Sequence, residues 1–412
     1  MSHHSSRLFL VLWVISGSAL FAQVDQPAVS LYFPDRHDWE HRSAESFGLN
    51  QQAIDSAVRF HQAHEAMAPR DQELGQSITF GREPYGEGVG AFDTRGEATG
   101  VILHRGYIIA EWGDPDAVEM THSVSKSFLS AVIGVAEKEG LIHSINDPVA
   151  PYMPPIELYA SNHMNVLPSS TENIPLYKPF ETPHNQIITW NHLLRQTSDW
   201  EGTLWGKPAW ADRPAKDLRA DLERQRHAPG EVWEYNDTRV NALALAGTMV
   251  WRKPLPQVLL EEIMDPIGAS HVWQWRGYRN SWIVLDGLPV NVVSGGGHWG
   301  GGMFINAYDL ARFGLLMMRN GQWDNQQIIS PEFIEQARTP TPANDGYGYM
   351  NWFLNTNRKF LPSAPETAVA FLGNGTNMVY FDYEHELVVV ARWLDRNELD
   401  GMISEVLKAW EE

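Results

Sequence analysis

Two apolar runs, Thr99–His104 and Tyr107–Trp112, are separated only by Arg105-Gly106, a spacing that predicts a β-hairpin with a two-residue turn. Further on, Phe128, Leu129, Val132, Ile133, Val135 and Ala136 recur at helical period. They predict a helix from about Ser123 to Glu139, with Gly140 as its C-cap. From Asn146 to about Trp282 the chain is rich in Pro and Trp and shows only helical patterns, as at Leu218–Arg226 and Val240–Trp251. Strand signals return late, where Thr376–Asp382 and Glu386–Trp393 flank Tyr383-Glu384-His385, and a last helix covers Met402–Trp410. Residues 23 to about 90 are punctuated by Gly and Pro, with one helical stretch near Gln51–Ala66.

Strands at both ends and helices in the middle predict an α+β fold. Its antiparallel sheet would be built from both chain ends and flanked by helices, with an all-helical lobe inserted. At 412 residues the chain exceeds one typical domain, which also favours two packed lobes. The expected division is an N-terminal extension at 23–85, a sheet lobe at 86–145 plus 285–412, and the helical lobe at 146–284. No internal repeat or low-complexity tract appears.

The first residues belong to a different class. Arg7 precedes an apolar run from Leu8 to Ile15, and small residues follow at Gly17, Ser18, Ala19 and Ala22. Residues 1–22 therefore read as a signal peptide cleaved after Ala19 or Ala22, since the run falls short of the roughly 20 apolar residues of a membrane span. Export to the periplasm or the medium follows as an expectation, with no membrane partner after cleavage. A net charge of -20 argues against nucleic acid, whose backbone needs clustered Lys and Arg. The absence of cysteine removes disulfides, thiolate nucleophiles and Cys-ligated metals. Oligomeric state stays open.

Chemistry concentrates at Ser123-Val124-Ser125-Lys126. A spacing of three on a helix puts both end residues on one face. A Ser hydroxyl needs a proton acceptor in contact to act as a nucleophile, and a helix N-terminus favours a developing oxyanion. Alone, this pattern is as well explained by a capping Ser and a solvated Lys. Later phrases change its weight. Tyr235-Asn236-Asp237 follows Pro229-Gly230-Glu231 and precedes an apolar helix, and Phe371-Leu372-Gly373-Asn374-Gly375 opens the late strand pair. No Gly-x-Ser-x-Gly elbow is present. Sixteen His residues include His61 and His64 one turn apart but form no zinc motif, so neither a metal nor a cofactor is expected. The tract Ser294–Gly302 reads either as a tight connection before a helix capped by Asn306 or as a cleft wall with His298 facing substrate. The many Trp residues read as core first and pocket second. Ser198, in Thr197-Ser198-Asp199, reads as part of a helix end and not as catalytic.

With Leu193–Ser198 and Asp309–Phe313, these phrases occur in the order seen in the serine β-lactamase-related family, and residues 85 to 412 resemble its class C-like branch of esterases, amide hydrolases and DD-peptidase homologues. The resemblance implies a β-lactamase/transpeptidase-like fold and an acyl-enzyme on Ser123, with proton transfer by Lys126 and Tyr235. It also implies an oxyanion hole from the backbone N–H groups of Ser123 and Asn374, beside Gly373. Two departures stand out. Asp237 occupies a place usually held by Asn, and an approach of Asp237 to Lys126 would keep the Lys charged; Tyr235 is then the expected acceptor, its pKa lowered by that cation. Phe371-Leu372-Gly373 stands where the family often carries Lys-Thr-Gly or His-x-Gly and keeps only the Gly, so the cation for a substrate carboxylate is missing, which favours a small-molecule ester or amide. The alternatives are a β-lactamase or DD-peptidase, or a catalytically silent relative that binds cell-wall peptides.

Overall fold

The Arg105-Gly106 turn has both residues at positive φ, 54° and 91°, the geometry whose twist matches that of the strands it joins. In the computed structural model, which describes residues 1, 31–159, 176–214 and 222–411, this turn links β1 (Thr99–His104) to β2 (Tyr107–Trp112). The other strands needed here are β3 (Glu119–Met120), β4 (Gln274–Leu285), β5 (Leu288–Val293), β6 (Gly302–Ile305), β7 (Phe353–Leu354), β8 (Val369–Gly373), β9 (Asn377–Asp382) and β10 (Leu387–Arg392). The helices needed here are α1 (Gln51–Ala63), α2 (Gln72–Thr79), α3 (Ser125–Lys138), α4 (Asp237–Trp251), α5 (Ala307–Met318) and α6 (Leu399–Leu407).

The chain ends do build one sheet. Its antiparallel order is β7-β8-β9-β10-β1-β2, closed where Val101 of β1 lies opposite Val390 of β10. Both faces are covered. Val388 and Val390 of β10 join Val379 and Phe381 of β9 against α3 and α5. Leu387, Val389 and Ala391 join Met378 and Tyr380 against α1 and α6. Burial on both sides explains why Leu387–Ala391 is an unbroken apolar run instead of the alternation of a one-sided antiparallel strand. α1, from the stretch expected as an extension, therefore covers the sheet beside the last helix, in one unit spanning Tyr32–Glu412.

The inserted stretch is not purely helical. β4 begins at Gln274 and pairs with β5 across Asp286-Gly287, again with both turn residues at positive φ (52° and 83°). β6 pairs with β4 and with β3, giving a second small sheet beside the helices. The expected signal segment, and residues 218–221 of the helix expected at Leu218–Arg226, lie outside the described residues, while of the remainder only 222–223 are helical and 224–226 are not.

Asp199 ties the insertion together. Its backbone is left-handed (φ 42°), but the preceding helix already ends at Leu194, so Asp199 lies in the loop beyond it and does not end a helix as expected. Its carboxylate accepts from Arg239 Nη2 at 2.6 Å and from both Arg224 Nη atoms at 2.6 and 2.7 Å. Burial pushes this carboxyl up, but the Arg224 hydrogen bonds and the Arg239 charge outweigh burial and hold it well below the usual range. A lowered folded-state pKa contributes stability above the ordinary carboxylate range and loses it as pH falls through the lowered value. Asp199→Asn should cost about 3–5 kcal/mol, because Arg239 on α4 would stay buried with its main counter-charge gone. Denaturant midpoints of the variant and the parent check this, and a shift under about 1 kcal/mol would show that the cluster is effectively solvated.

Phenols set the opposite pH limit. Tyr278, Tyr347 and Tyr380 are buried, and burial is the largest cause holding each well above its ordinary value. A raised folded-state pKa gives stability that is complete below the unfolded value near 10 and declines as pH rises beyond it. The melting temperature should fall steeply above about pH 10, together with the phenolate absorbance step. A melting temperature flat to pH 12 would contradict it.

Candidate functional site

β3 ends at Met120, and two residues later the chain turns sharply. His122 has φ 51°, an uncommon geometry for a non-Gly residue. The ring is fixed by a hydrogen bond between its Nε2 and Gln72 Oε1 at 2.9 Å. Burial, reinforced by the charges of Arg392 and Lys126, pushes His122 down to about 3, so the imidazole is neutral. A 3-10 turn over His122–Val124 then feeds α3, leaving Ser123 half-buried at the helix opening and Lys126 fully buried one turn later.

Lys126 Nζ lies 3.0 Å from Ser123 Oγ and 2.7 Å from Asp237 Oδ1. Asp237 is the first residue of α4, whose N-cap Asn236 accepts from the Arg239 N–H. Tyr235, two residues before that helix, lines the same cavity as Ser123 and places its ring centroid 4.6 Å from Lys126 Nζ. The four residues singled out from the sequence thus meet at one point. The sign of the phenol shift is opposite to the expectation. Burial is the largest effect and Asp237 the next, and together they raise the Tyr235 pKa far above its ordinary value against the opposing Arg213 charge.

Asp237 is shared. Burial pushes its carboxyl up, but Lys126 and Arg213 overcome burial and hold it well below the usual range. Arg213 Nη1 donates to Asp237 Oδ2 at 2.8 Å and to Asp212 Oδ1 at 2.6 Å, and Nη2 approaches His298 Nδ1 at 2.9 Å. Arg213 is only a donor, so Nδ1 accepts, and His298 Nε2 carries the hydrogen that it donates to Glu83 Oε2 at 2.9 Å. His298 is therefore buried behind the cavity wall, held by Glu83 and Arg213, and it does not face substrate. Glu83, Asp212 and His298 are the one trio of metal-ligand type among the described residues with ligand atoms within 4.8 Å of one another. A protonated Nε2 has no lone pair for a metal, and the Arg213 guanidinium already supplies the cation beside them. No sequence motif marks Glu83, Asp212 or Arg213; only the fold brings them to the site.

The glycine tract has a packing role that its flexible look conceals. A Cβ on Gly296 would land on Asp237 Oδ1 and Lys126 Nζ, so this backbone forms the wall behind the ion pair. Gly373 is similarly constrained, because a Cβ there would meet the Thr121 carbonyl oxygen. That close approach brings the end of β8, including exposed Asn374, beside Ser123. Both line a cavity of about 610 Å³, within the range of small-molecule sites. Trp233, Phe353, Leu372, Phe80 and Met67 supply apolar wall, and Arg213, Asp395 and Arg396 supply charge. Trp200 and Trp190 are fully buried in the core instead.

The arrangement matches known proteins in fold. The β-lactamase family model covers residues 89–394. EstCE1, described as a hydrolase with promiscuous acyltransferase activity, aligns with a TM-score of 0.53 at 14% identity, over 87% of this chain and 98% of that one. A putative β-lactamase from Bacteroides dorei DSM 17855 aligns with a TM-score of 0.52 at 16% identity, over 76% and 93% of the two chains. The octameric penicillin-binding protein homologue from Pyrococcus abyssi gives 0.50 at 16% identity, over 76% and 72%. No curated protein matches the chain. At these identities the structural likeness speaks for the fold alone, but a family model spanning most of the sheet and the whole insertion says more: this chain belongs to the β-lactamase family of hydrolases.

Proposed function

We propose that this protein is an exported serine hydrolase that cleaves carboxyl esters or amides through an acyl-enzyme on Ser123. The observation that carries the reading is the 3.0 Å contact between Ser123 Oγ and Lys126 Nζ, with the Tyr235 ring 4.6 Å from that ammonium and both Ser123 and Tyr235 lining one largely apolar cavity. In the first half-reaction, Ser123 Oγ adds to the substrate carbonyl carbon while its proton passes to Tyr235. Collapse of the tetrahedral intermediate expels the alkoxide or amine, which takes that proton. Water then repeats the sequence on the acyl-enzyme, and Ser123 leaves with its hydrogen restored. The backbone N–H groups of Ser123 and Asn374 stabilise the oxyanion. Lys126 stays cationic beside Asp237 and offsets the phenolate charge. The raised Tyr235 pKa makes the accepting phenolate a minority form near neutrality, so kcat/KM should rise with pH through the neutral range.

Leu372 on the cavity wall favours uncharged ester or amide substrates. One observation favours a second reading: Arg396 is exposed, lines the same cavity and has no ion-pair partner among the described residues, so it could receive a substrate carboxylate as in a β-lactam or DD-peptide. A panel of a short-chain aryl ester, a chromogenic cephalosporin and a D-Ala-D-Ala peptide separates the two.

The decisive experiment is mass spectrometry after treatment with a fluorophosphonate. The adduct is expected on the peptide carrying Ser123 and is expected to be absent from Ser123→Ala. An adduct elsewhere, or ester turnover surviving in the variant, would refute the assignment. No adduct and no turnover in the parent would leave the silent peptide-binding reading. Export, which rests on the pattern of residues 1–22, is checked by sequencing the N-terminus of protein recovered outside the cytoplasm.

A further inference from the structure

We propose that Arg213 is a positioning residue for this hydrolysis, dividing the Asp237 carboxylate between two cations so that Lys126 keeps a hydrogen directed at Ser123. The inference rests on Ser123 being the nucleophile. Asp237 gives one oxygen to Lys126 at 2.7 Å and the other to Arg213 at 2.8 Å. Each cation thereby limits what the other can take. Without the guanidinium, Oδ2 would be a buried acceptor lacking its side-chain donor, and the carboxylate would turn to engage Lys126 with both oxygens. Nζ would then be drawn off Ser123 Oγ, 3.0 Å away.

Arg213 is itself over-determined. Asp212 Oδ1 lies 2.6 Å from Nη1, His298 Nδ1 lies 2.9 Å from Nη2, and Glu83 fixes the far side of that imidazole at 2.9 Å. A planar fork presents its donors in fixed coplanar directions, whereas an ammonium's three donors rotate about one point. The Arg213 guanidinium also lies 5.0 Å from the Tyr235 ring centroid and 5.5 Å from that of Phe80. It is thus a second cation beside the proton acceptor. The charged and titratable groups facing it are Asp212, Asp237, His298 and Tyr235. Lys126 acts on it through Asp237 and Glu83 through His298, and His122 lies within electrostatic range of both Lys126 and His298. Asp237 and Asp212 raise the Tyr235 pKa and Arg213 opposes them. Loss of Arg213 therefore moves the rising limb of activity to higher pH, by roughly one unit or more.

The test compares Arg213→Gln and Arg213→Lys with the parent on a short-chain aryl ester, recording kcat, KM, the pH profile and the melting temperature. Arg213→Gln is expected to lower kcat at least tenfold with KM within about twofold, and to shift the rising limb upward. Arg213→Lys, which restores charge but not the fork, should return the limb toward its parent position while recovering only part of kcat. Unchanged kcat and profile in Arg213→Gln would overturn the proposal. So would a raised KM at parent kcat, which would make Arg213 a substrate-binding group. Should Arg213→Gln not fold, Glu83→Ala carries the test from outside the cavity by removing the group that holds His298: a smaller loss of kcat with KM within about twofold is expected, and parent kcat overturns it. Failure of the nucleophile reading shows separately, as missing Ser123 adduct in the parent.

Discussion

Lys126→Met should lower kcat/KM for an aryl ester by on the order of 10²–10³-fold, the range for losing one fixed group that stabilises charge developing in the transition state. Methionine keeps much of the apolar stem that packs inside α3 and removes only the ammonium that touches Ser123 Oγ at 3.0 Å. Asp237 would retain Arg213 at 2.8 Å, so the variant should still fold, and its melting temperature should be recorded beside the kinetics. Arginine is not a conservative replacement here. Lys126 is fully buried, and the Gly296 backbone closes the space behind its Nζ, so a longer planar fork has nowhere to go. Lys126→Arg should therefore be as impaired as Lys126→Met despite its charge. Turnover within tenfold of the parent in the Met variant would mean that the ammonium is structural and that Tyr235 works without it.

Which parts of this site can be read from the chain depends on how local their causes are. Ser123 and Lys126 are visible because one helical turn fixes their relation, and Tyr235 and Asp237 because they flank the N-cap of one apolar helix. The sheet is visible because Leu387–Arg392 is buried on both faces and so cannot be mistaken for a surface segment. Arg213 and Glu83 reach the site only through the fold, one from the insertion and one from the stretch before β1, and neither sits in a recognisable phrase. Asp286-Gly287 is a plainer hairpin turn than Arg105-Gly106, since an Asp-Gly pair favours positive φ at both positions. The strand before it escapes periodicity because its middle, Arg276 to Asn280, mixes charge with Gly and aromatic residues around a register shift between Gly277 and Trp282. The tract around His298 misleads in the other direction. Gly residues suggest a solvated loop, whereas here they let backbone approach backbone, as where Gly300 crowds Gly90. The sign of the Tyr235 shift depends on burial and on Asp237 together, and neither magnitude is encoded in spacing.

Gly296→Ala is the most economical probe of that packing, and it should reduce kcat/KM by about 10²-fold, the loss expected when a reacting group is displaced by about 1 Å. Gly296 does not use the left-handed region, so alanine adds no backbone strain, and the whole effect is the added methyl group. That methyl meets Asp237 Oδ1 and Lys126 Nζ and Cε. Neither partner can swing into solvent, because Lys126 and Asp237 are both completely buried. The pair must move, and with it the 3.0 Å contact to Ser123. Overpacking of this kind costs about 1–3 kcal/mol, which leaves a domain of this size folded. Gly75→Ala makes the control: it lies in α2 with only Pro69 near the new Cβ, at 3.9 Å, and should leave turnover unchanged while slightly strengthening the helix. Parent-like turnover in Gly296→Ala would mean that the wall behind the ion pair yields, and that Lys126 holds its place by its own contacts with Asp237 and Ser123 alone.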